Sequence, residues 1–201
     1  MTARSFDSTD TGVQAASEVN HTRLHADGLD LRYRLDVVAP SVLEVVTHAG
    51  GWLFDRVMAG WDVTVFTPDR ADVRPLQILG TQTLSFDRAF VSRDDRPRPQ
   101  ALGVATDLFG SDLRVRRRVL KALGRELIEV TLWGEARSAE LDGTTDSVQH
   151  QLSAAARVFK AQALAAAAAP NASVGITETF RSRLSGCALV ADLVPASYHV
   201  S

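Results

Sequence analysis

Residues 29–66 read LDLRYRLDVVAP, then SVLEVVTHAGGWLFDRVMAG, then WDVTVF, and this stretch decides the fold. Leu29, Leu31, Tyr33 and Leu35 alternate with Asp30, Arg32, Arg34 and Asp36, the period of two of a half-buried strand running into Val37-Val38. Pro40 ends it. Ser41 with Glu44 three residues on fits a capping box, in which a hydroxyl and a carboxylate satisfy orphan amides at a helix start. Val42, Val45, Val46, Ala49, Leu53 and Val57 then recur at helical spacing, which predicts a helix to about Ala59, stopped by Gly60. Trp61 to Phe66 follows as a second strand. Gly50-Gly51 leaves an alternative open, because two glycines inside a helix cost about 2 kcal/mol relative to alanines. In that reading Val42 to Val46 is a strand, Trp52 to Gly60 a short helix, and the glycine pair a phosphate-cradling turn.

Working outward, Thr67 to Pro75 reads as a polar loop and Leu76 to Leu79 as a short apolar run. Residues 87–100, centred on RDDRPRP, have the proline and charge density of an exposed connection. Ala101 to Thr106 predicts a strand, Ser111 to Leu123 a helix ended by Gly124, and Leu127 to Trp133 another strand. Asp142 to Asp146 suggests a turn and helix cap, and Val148, Leu152, Ala155, Phe159 and Ala163 fall on one face of what reads as the longest helix, up to Pro170. Thr177 to Leu184 fits a further short helix, and Cys187 to Val194 a closing strand. Strands alternating with helices predict a layered α/β fold, a mixed or mostly parallel sheet with helices on both faces, in a single domain over 29–201. Residues 1–28 carry too few large apolar side chains to offset ordering entropy and read as a disordered tail.

Composition narrows the function classes. The chain has 201 residues, 45% apolar and 23% charged, with a formal net charge of -2, so no global positive field exists to hold a polyanion. Its 22 basic residues are 20 Arg and 2 Lys, the usage of a GC-rich bacterial genome. No apolar run reaches the roughly 18–20 residues of a membrane span and no secretory leader opens the chain, so a cytoplasmic location without membrane association is expected. Cys187 is the only cysteine, which excludes an internal disulfide and a cysteine zinc cage. It heads an apolar run, as an inert buried thiol would. His21 and His25 lie four apart but lack a third ligand, and no metal or cofactor is expected.

Candidate site residues fall in two groups. In open α/β sheets ligands gather beyond the carboxyl ends of strands, where three loops supply Asp69, Arg70 and Asp72, then Asp107, Ser111 and Asp112, then Glu135 and Arg137. From these, Asp69, Arg70, Asp107, Ser111 and Glu135 define a candidate small-molecule edge. Asp69, Asp107 and Glu135 could hold Mg2+ if they converge. On the helix from Ser111, Arg114, Arg117, Arg118 and Lys121 gather opposite the apolar stripe with Arg125 beyond its end, a surface suited to an anion or acidic partner. Arg116 falls among the apolar residues and needs a carboxylate to reach. His150 aligns with Ser153, Arg157 and Lys160 as the wet side of the long helix or an anion-binding stripe, and Trp52, Trp61 and Trp133 read as core.

With neither a GxGxxG nor a GxxxxGK[ST] loop, the sequence favours a non-catalytic binding or accessory protein engaging a protein partner through the Arg-rich helix and the Ala-rich helix. The alternatives are a small enzyme acting on a phosphorylated or acidic small molecule at the carboxyl edge, and a nucleic-acid accessory factor working through the Arg face. Oligomeric state is not legible.

Overall fold

The computed structural model describes residues 32–67, 72–90, 98–124, 128–134, 140–183 and 192–196. Eight strands form one sheet in the order β3-β2-β1-β4-β5-β7-β6-β8. β1 (Arg34–Val38), β2 (Asp62–Thr67), β3 (Gln82–Ser85), β4 (Ala101–Ala105) and β5 (Glu129–Trp133) are mutually parallel. β6 (Asp146–Gln151), β7 (Thr177–Arg183) and β8 (Val194–Pro195) continue the sheet in antiparallel pairs. The mixed α/β layering expected from the sequence is therefore present.

The chain leaves β1 toward β2 through α1 (Val42–Met58) and leaves β4 toward β5 through α3 (Thr106–Ser111) and α4 (Leu113–Leu123). These crossovers run in opposite directions along the sheet, and parallel connections share one hand, so their helices cover opposite faces. Leu35 and Val37 of β1 join α1, α2 (Arg74–Ile78) and α5 (Ala154–Ala166) in one core cluster. Val38 joins Phe66, Val104 and α4 residues Val115, Val119 and Leu123 in the other. β1 is thus buried on both faces, where the sequence reading expected a half-exposed strand. Trp52, Trp61 and Trp133 are buried, as expected of core residues.

The 29–66 stretch folds as one helix between two strands. Ser41 caps α1 by accepting from the Glu44 N–H at 3.1 Å, and Gly60 turns the chain out at φ +90. The alternative of a break at Gly50-Gly51 is wrong in topology yet marks a real feature. The Gly51 and Trp52 N–H groups donate to the two Glu178 carboxylate oxygens at 2.9 and 2.7 Å. Lys160 Nζ donates both to Glu178 and to the Thr47 carbonyl, each at 2.7 Å. A buried ion pair from β7 and α5 therefore enters the hydrogen-bond ladder of α1. Gly51 is required there, because a Cβ would lie 2.3 Å from Leu152 Cδ2.

Three element assignments differ from the sequence reading. The predicted long helix is β6 followed by α5, separated by Leu152 and the N-cap Ser153, whose hydroxyl accepts from Ala156 N–H. His150 is consequently a buried strand residue, and Lys160 is buried with Glu178 instead of lying on a wet helix face. Thr177–Arg183 is β7, not a helix: Glu178, Phe180 and Ser182 alternate inward. The helix assigned from Ser111 is divided at Asp112, and the apolar run after Arg74 is α2. Residues 1–28, His21, His25, the 91–97 part of the polar connection, and Cys187 lie outside the described residues.

Candidate active site at the carboxyl edge

The chain turns back between β1 and β4, moving first to β2 and β3 and then, on the other side, to β5. A crevice opens at such a reversal beyond the strand ends, because the flanking crossovers lie on opposite faces. The β1–α1 turn at Ala39 to Ser41 and the start of α3 at Thr106 and Asp107 stand at this edge.

Glu44 and His48 are one turn apart on the first half of α1, within about 10 Å of its start at 1.5 Å rise per residue. His48 Nε2 is 3.5 Å from Glu44 Oε2, and the imidazole side chain is 43% exposed. The capping box is thus used in a way the sequence did not indicate: the Ser41 hydroxyl caps, while the Glu44 carboxylate faces an imidazole. An Nε2–H directed at Glu44 leaves Nδ1 with a lone pair for a proton. The Lys160–Glu178 pair grips α1 at Thr47, Gly51 and Trp52, on either side of His48, and fixes the helix that carries it.

Across the edge, Asp107 is exposed, and Ser111 Oγ donates to the Asp107 carbonyl at 2.7 Å. Ser111 therefore ends α3 and does not cap the following helix. Asp112 does, accepting from Arg114 N–H and Val115 N–H, so the amides at this helix start already have an acceptor. Thr106 is buried and donates to the Trp133 carbonyl at 3.0 Å, tying the ends of β4 and β5 together. Asp69, Arg70 and Glu135 lie outside the described residues, so of the three carboxylates expected to converge the structure describes Asp107 alone. Among the described residues, no group of three or more His, Cys, Asp or Glu could hold a metal ion.

The Arg face is partly consumed by internal pairs. Arg114 contacts Asp112 at 2.9 Å and Asp87 at 3.1 Å, and its guanidinium lies 4.8 Å from the Phe90 ring centroid. The Arg114 side chain holds the Asp112 carboxyl below its ordinary value, and Asp112 and Asp87 raise that of Arg114. Arg116 reaches Glu140, as its position required. Arg118 corrects the expectation of an outward stripe: its side chain is 14% exposed, pairs with Asp36 of β1 at 2.5 Å and also donates to the Ala89 carbonyl. Arg117 and Lys121 are exposed without an ion pair among the described residues. Arg125 lies outside them.

A second polar assembly was not anticipated. Arg56 of α1, almost wholly buried, makes a bidentate contact with Asp192 at 2.7 Å from both Nε and Nη2, and Nη2 also meets Glu129 at 2.9 Å. The Trp61 ring lies 4.2 Å from its guanidinium carbon, and Trp52 Nε1 donates to Asp192 at 3.2 Å. Burial, the nearest cause, raises the Glu129 carboxyl above its ordinary value, with Arg56 acting against it. The sequence signal was the Asp55-Arg56 pair inside an apolar helix pattern, a cue that charge was being buried.

No protein-family model and no curated protein sequence matches the chain. Solved structures do share the fold. The antimicrobial reagent A40926 pseudoaglycone deacetylase Dbv21 superposes with TM-score 0.50 at 16% identity, over 83% of this chain and 99% of that one. A deacetylase of the teicoplanin biosynthesis pathway, solved in complex with teicoplanin, gives 0.50 at 15% identity, over 82% and 99%. The 4-carboxy-2-hydroxymuconate hydratase GalB from Pseudomonas putida gives 0.46 at 11% identity, over 75% and 95%. The two deacetylases at TM-score 0.50 are enzymes that share the fold of this chain. They also overturn the expectation of a non-catalytic binding or accessory protein. That expectation rested on the lack of recognised motifs, and the structural neighbours of the chain are enzymes.

Proposed function

We propose that this chain is a small enzyme acting on an acidic small molecule at the carboxyl edge of the sheet, with His48 as the proton-transfer group. The observation that supports it best is the Glu44–His48 pair, its imidazole exposed, on the first turns of α1, which begins beside the β1/β4 reversal. A carboxylate holding one ring nitrogen leaves the other free to take a proton from water, which is the requirement of general-base hydrolysis. Fold likeness to deacetylases favours an acylated substrate, from which water removes the acyl group. The acidic class of substrate is carried over from the sequence reading of this edge. Asp107, exposed at the start of α3, would orient a donor on the substrate.

The purified protein should be assayed against a panel of N-acylated and O-acylated acidic small molecules, with release of the acyl acid as the readout. Where turnover is found, His48→Gln should lower kcat about 10²–10⁴-fold, the usual contribution of general acid–base catalysis, without shifting the melting temperature. Glu44→Gln should lower it less. Full activity in a folded His48→Gln protein would overturn this reading.

A further inference from the structure

α4 does not bury all of its leucines. Val115, Val119 and Leu123 join the core, whereas Leu113 is 65% and Leu120 40% exposed. These two leucines are seven residues apart, which at about 100 degrees per residue stacks them on one outward face. Arg117 and Lys121 fall on the same face, four and eight residues after Leu113, both exposed and without an ion pair among the described residues. The outer face of α4 is therefore a strip about 12 Å long that combines apolar side chains with two available cations.

Both flanks of the strip are already paired. Arg114 on one side is held by Asp112 and Asp87, and Arg116 on the other by Glu140. The Asp87 side chain is 80% exposed and that of Glu140 42%. A chain of phosphates or an anionic bilayer spreads its negative charge over a wide surface, so it would meet these carboxylates together with the two cations. Phosphates also gain nothing from the leucines. A helix can set two carboxylates one turn apart against Arg117 and Lys121 and lay its apolar residues over Leu113 and Leu120, leaving Asp87 and Glu140 in water.

We propose that the outer face of α4 docks an acidic amphipathic helix of a partner protein, with Leu113 and Leu120 as the apolar contacts and Arg117 and Lys121 receiving its carboxylates. Arg117 stands between the two leucines, and its guanidinium holds a carboxylate through two parallel bonds, so it contributes more than the point charge of Lys121. A strip of this size falls well short of the roughly 800 Å² per partner of a standard stable interface, so the complex is weak and exchanges rapidly. α4 packs on the sheet face opposite α1, so this docking is independent of the chemistry at the carboxyl edge.

The test is a 1H–15N NMR titration of the full chain with a synthetic peptide of about three heptads, long enough to be helical, carrying leucine at heptad spacing and glutamate one turn apart beside it. Saturable shift changes should be confined to the amides of residues 113–121 and their neighbours in space. The same peptide with glutamine in place of glutamate should bind about tenfold more weakly or worse, as should the glutamate peptide to Arg117→Gln and to the Leu113→Gln, Leu120→Gln double variant. These positions are exposed, so the variants should keep the melting temperature of the parent. A short single-stranded oligonucleotide, and phosphatidylcholine vesicles with about a quarter phosphatidylglycerol, should bind more weakly than the glutamate peptide. No saturable change on α4 up to about 1 mM peptide, equal binding of the glutamine peptide, or tighter binding of the oligonucleotide or the vesicles would overturn the proposal. The two peptides on the parent chain decide it even where a variant fails to fold.

Discussion

Glu129 begins β5 with its carboxylate buried against Arg56, and burial disfavours its charged form. The folded protein therefore holds this proton more tightly than the unfolded chain does. Its contribution to stability is fully present below the ordinary Glu value of about 4.3 and is lost as pH rises through the raised folded value. Glu129→Gln keeps an oxygen for Arg56 Nη2 and removes the titration. The difference in melting temperature between variant and parent should accordingly grow in favour of the variant from about pH 4 to neutrality, as read by calorimetry. A constant difference would mean that Glu129 titrates normally. Glu178 is the contrasting residue, with two backbone amides and an ammonium on one buried carboxylate. Removing one partner of such a pair strands the other, so Lys160→Met should destabilise by about 3–5 kcal/mol in denaturant unfolding. Gly51→Ala, which pushes a methyl into Leu152, should cost about 1–3 kcal/mol.

At the scale of the element, α4 separates arginines that look alike in sequence. Arg118→Glu would set a second carboxylate beside Asp36 under the sheet, and should cost about 3–5 kcal/mol. Arg117→Glu, on the exposed side, should stay within about 0.5 kcal/mol. Equal effects in urea unfolding would show that both side chains point the same way. The sequence separated the helix faces correctly for Arg117 and failed for Arg118, because spacing does not reveal a carboxylate waiting on the central strand. The same blindness explains β6 and β7. Val148, Leu152, Ala155, Phe159 and Ala163 keep helical spacing across a junction where a strand ends and Ser153 caps a new helix. In TETFRSR the inward residues are Glu178, Phe180 and Ser182, so the alternation is there but two of its three inward members are polar. By contrast, β1, α1 and β2 were legible because apolar residues dominate what they bury, with Ser41 and Gly60 marking the helix ends.

Over the whole molecule, one reversal in strand order organises both polar assemblies. Crossovers of one hand send α1 and α4 to opposite faces and leave the carboxyl edge open between β1 and β4, the edge at which α1 and α3 begin. The antiparallel strands β6, β7 and β8 bring His150, Glu178 and Asp192 onto the face of α1, anchoring the helix that carries His48. Asp107 was named as a candidate by sheet logic. His48 was not, because a lone histidine on an amphipathic helix has no signature until its partner and its edge are known. No helix among the described residues is long and apolar enough to cross a membrane.

Whether chemistry takes place at the β1/β4 carboxyl edge is decided by a crystal structure with a turned-over acidic substrate, or its product, bound. The ligand should lie at the first turns of α1, with a polar atom within hydrogen-bond distance of His48 Nδ1 and another group facing Asp107. A ligand seated on the exposed Arg117 and Lys121 side of α4, with the carboxyl edge left untouched, would contradict it.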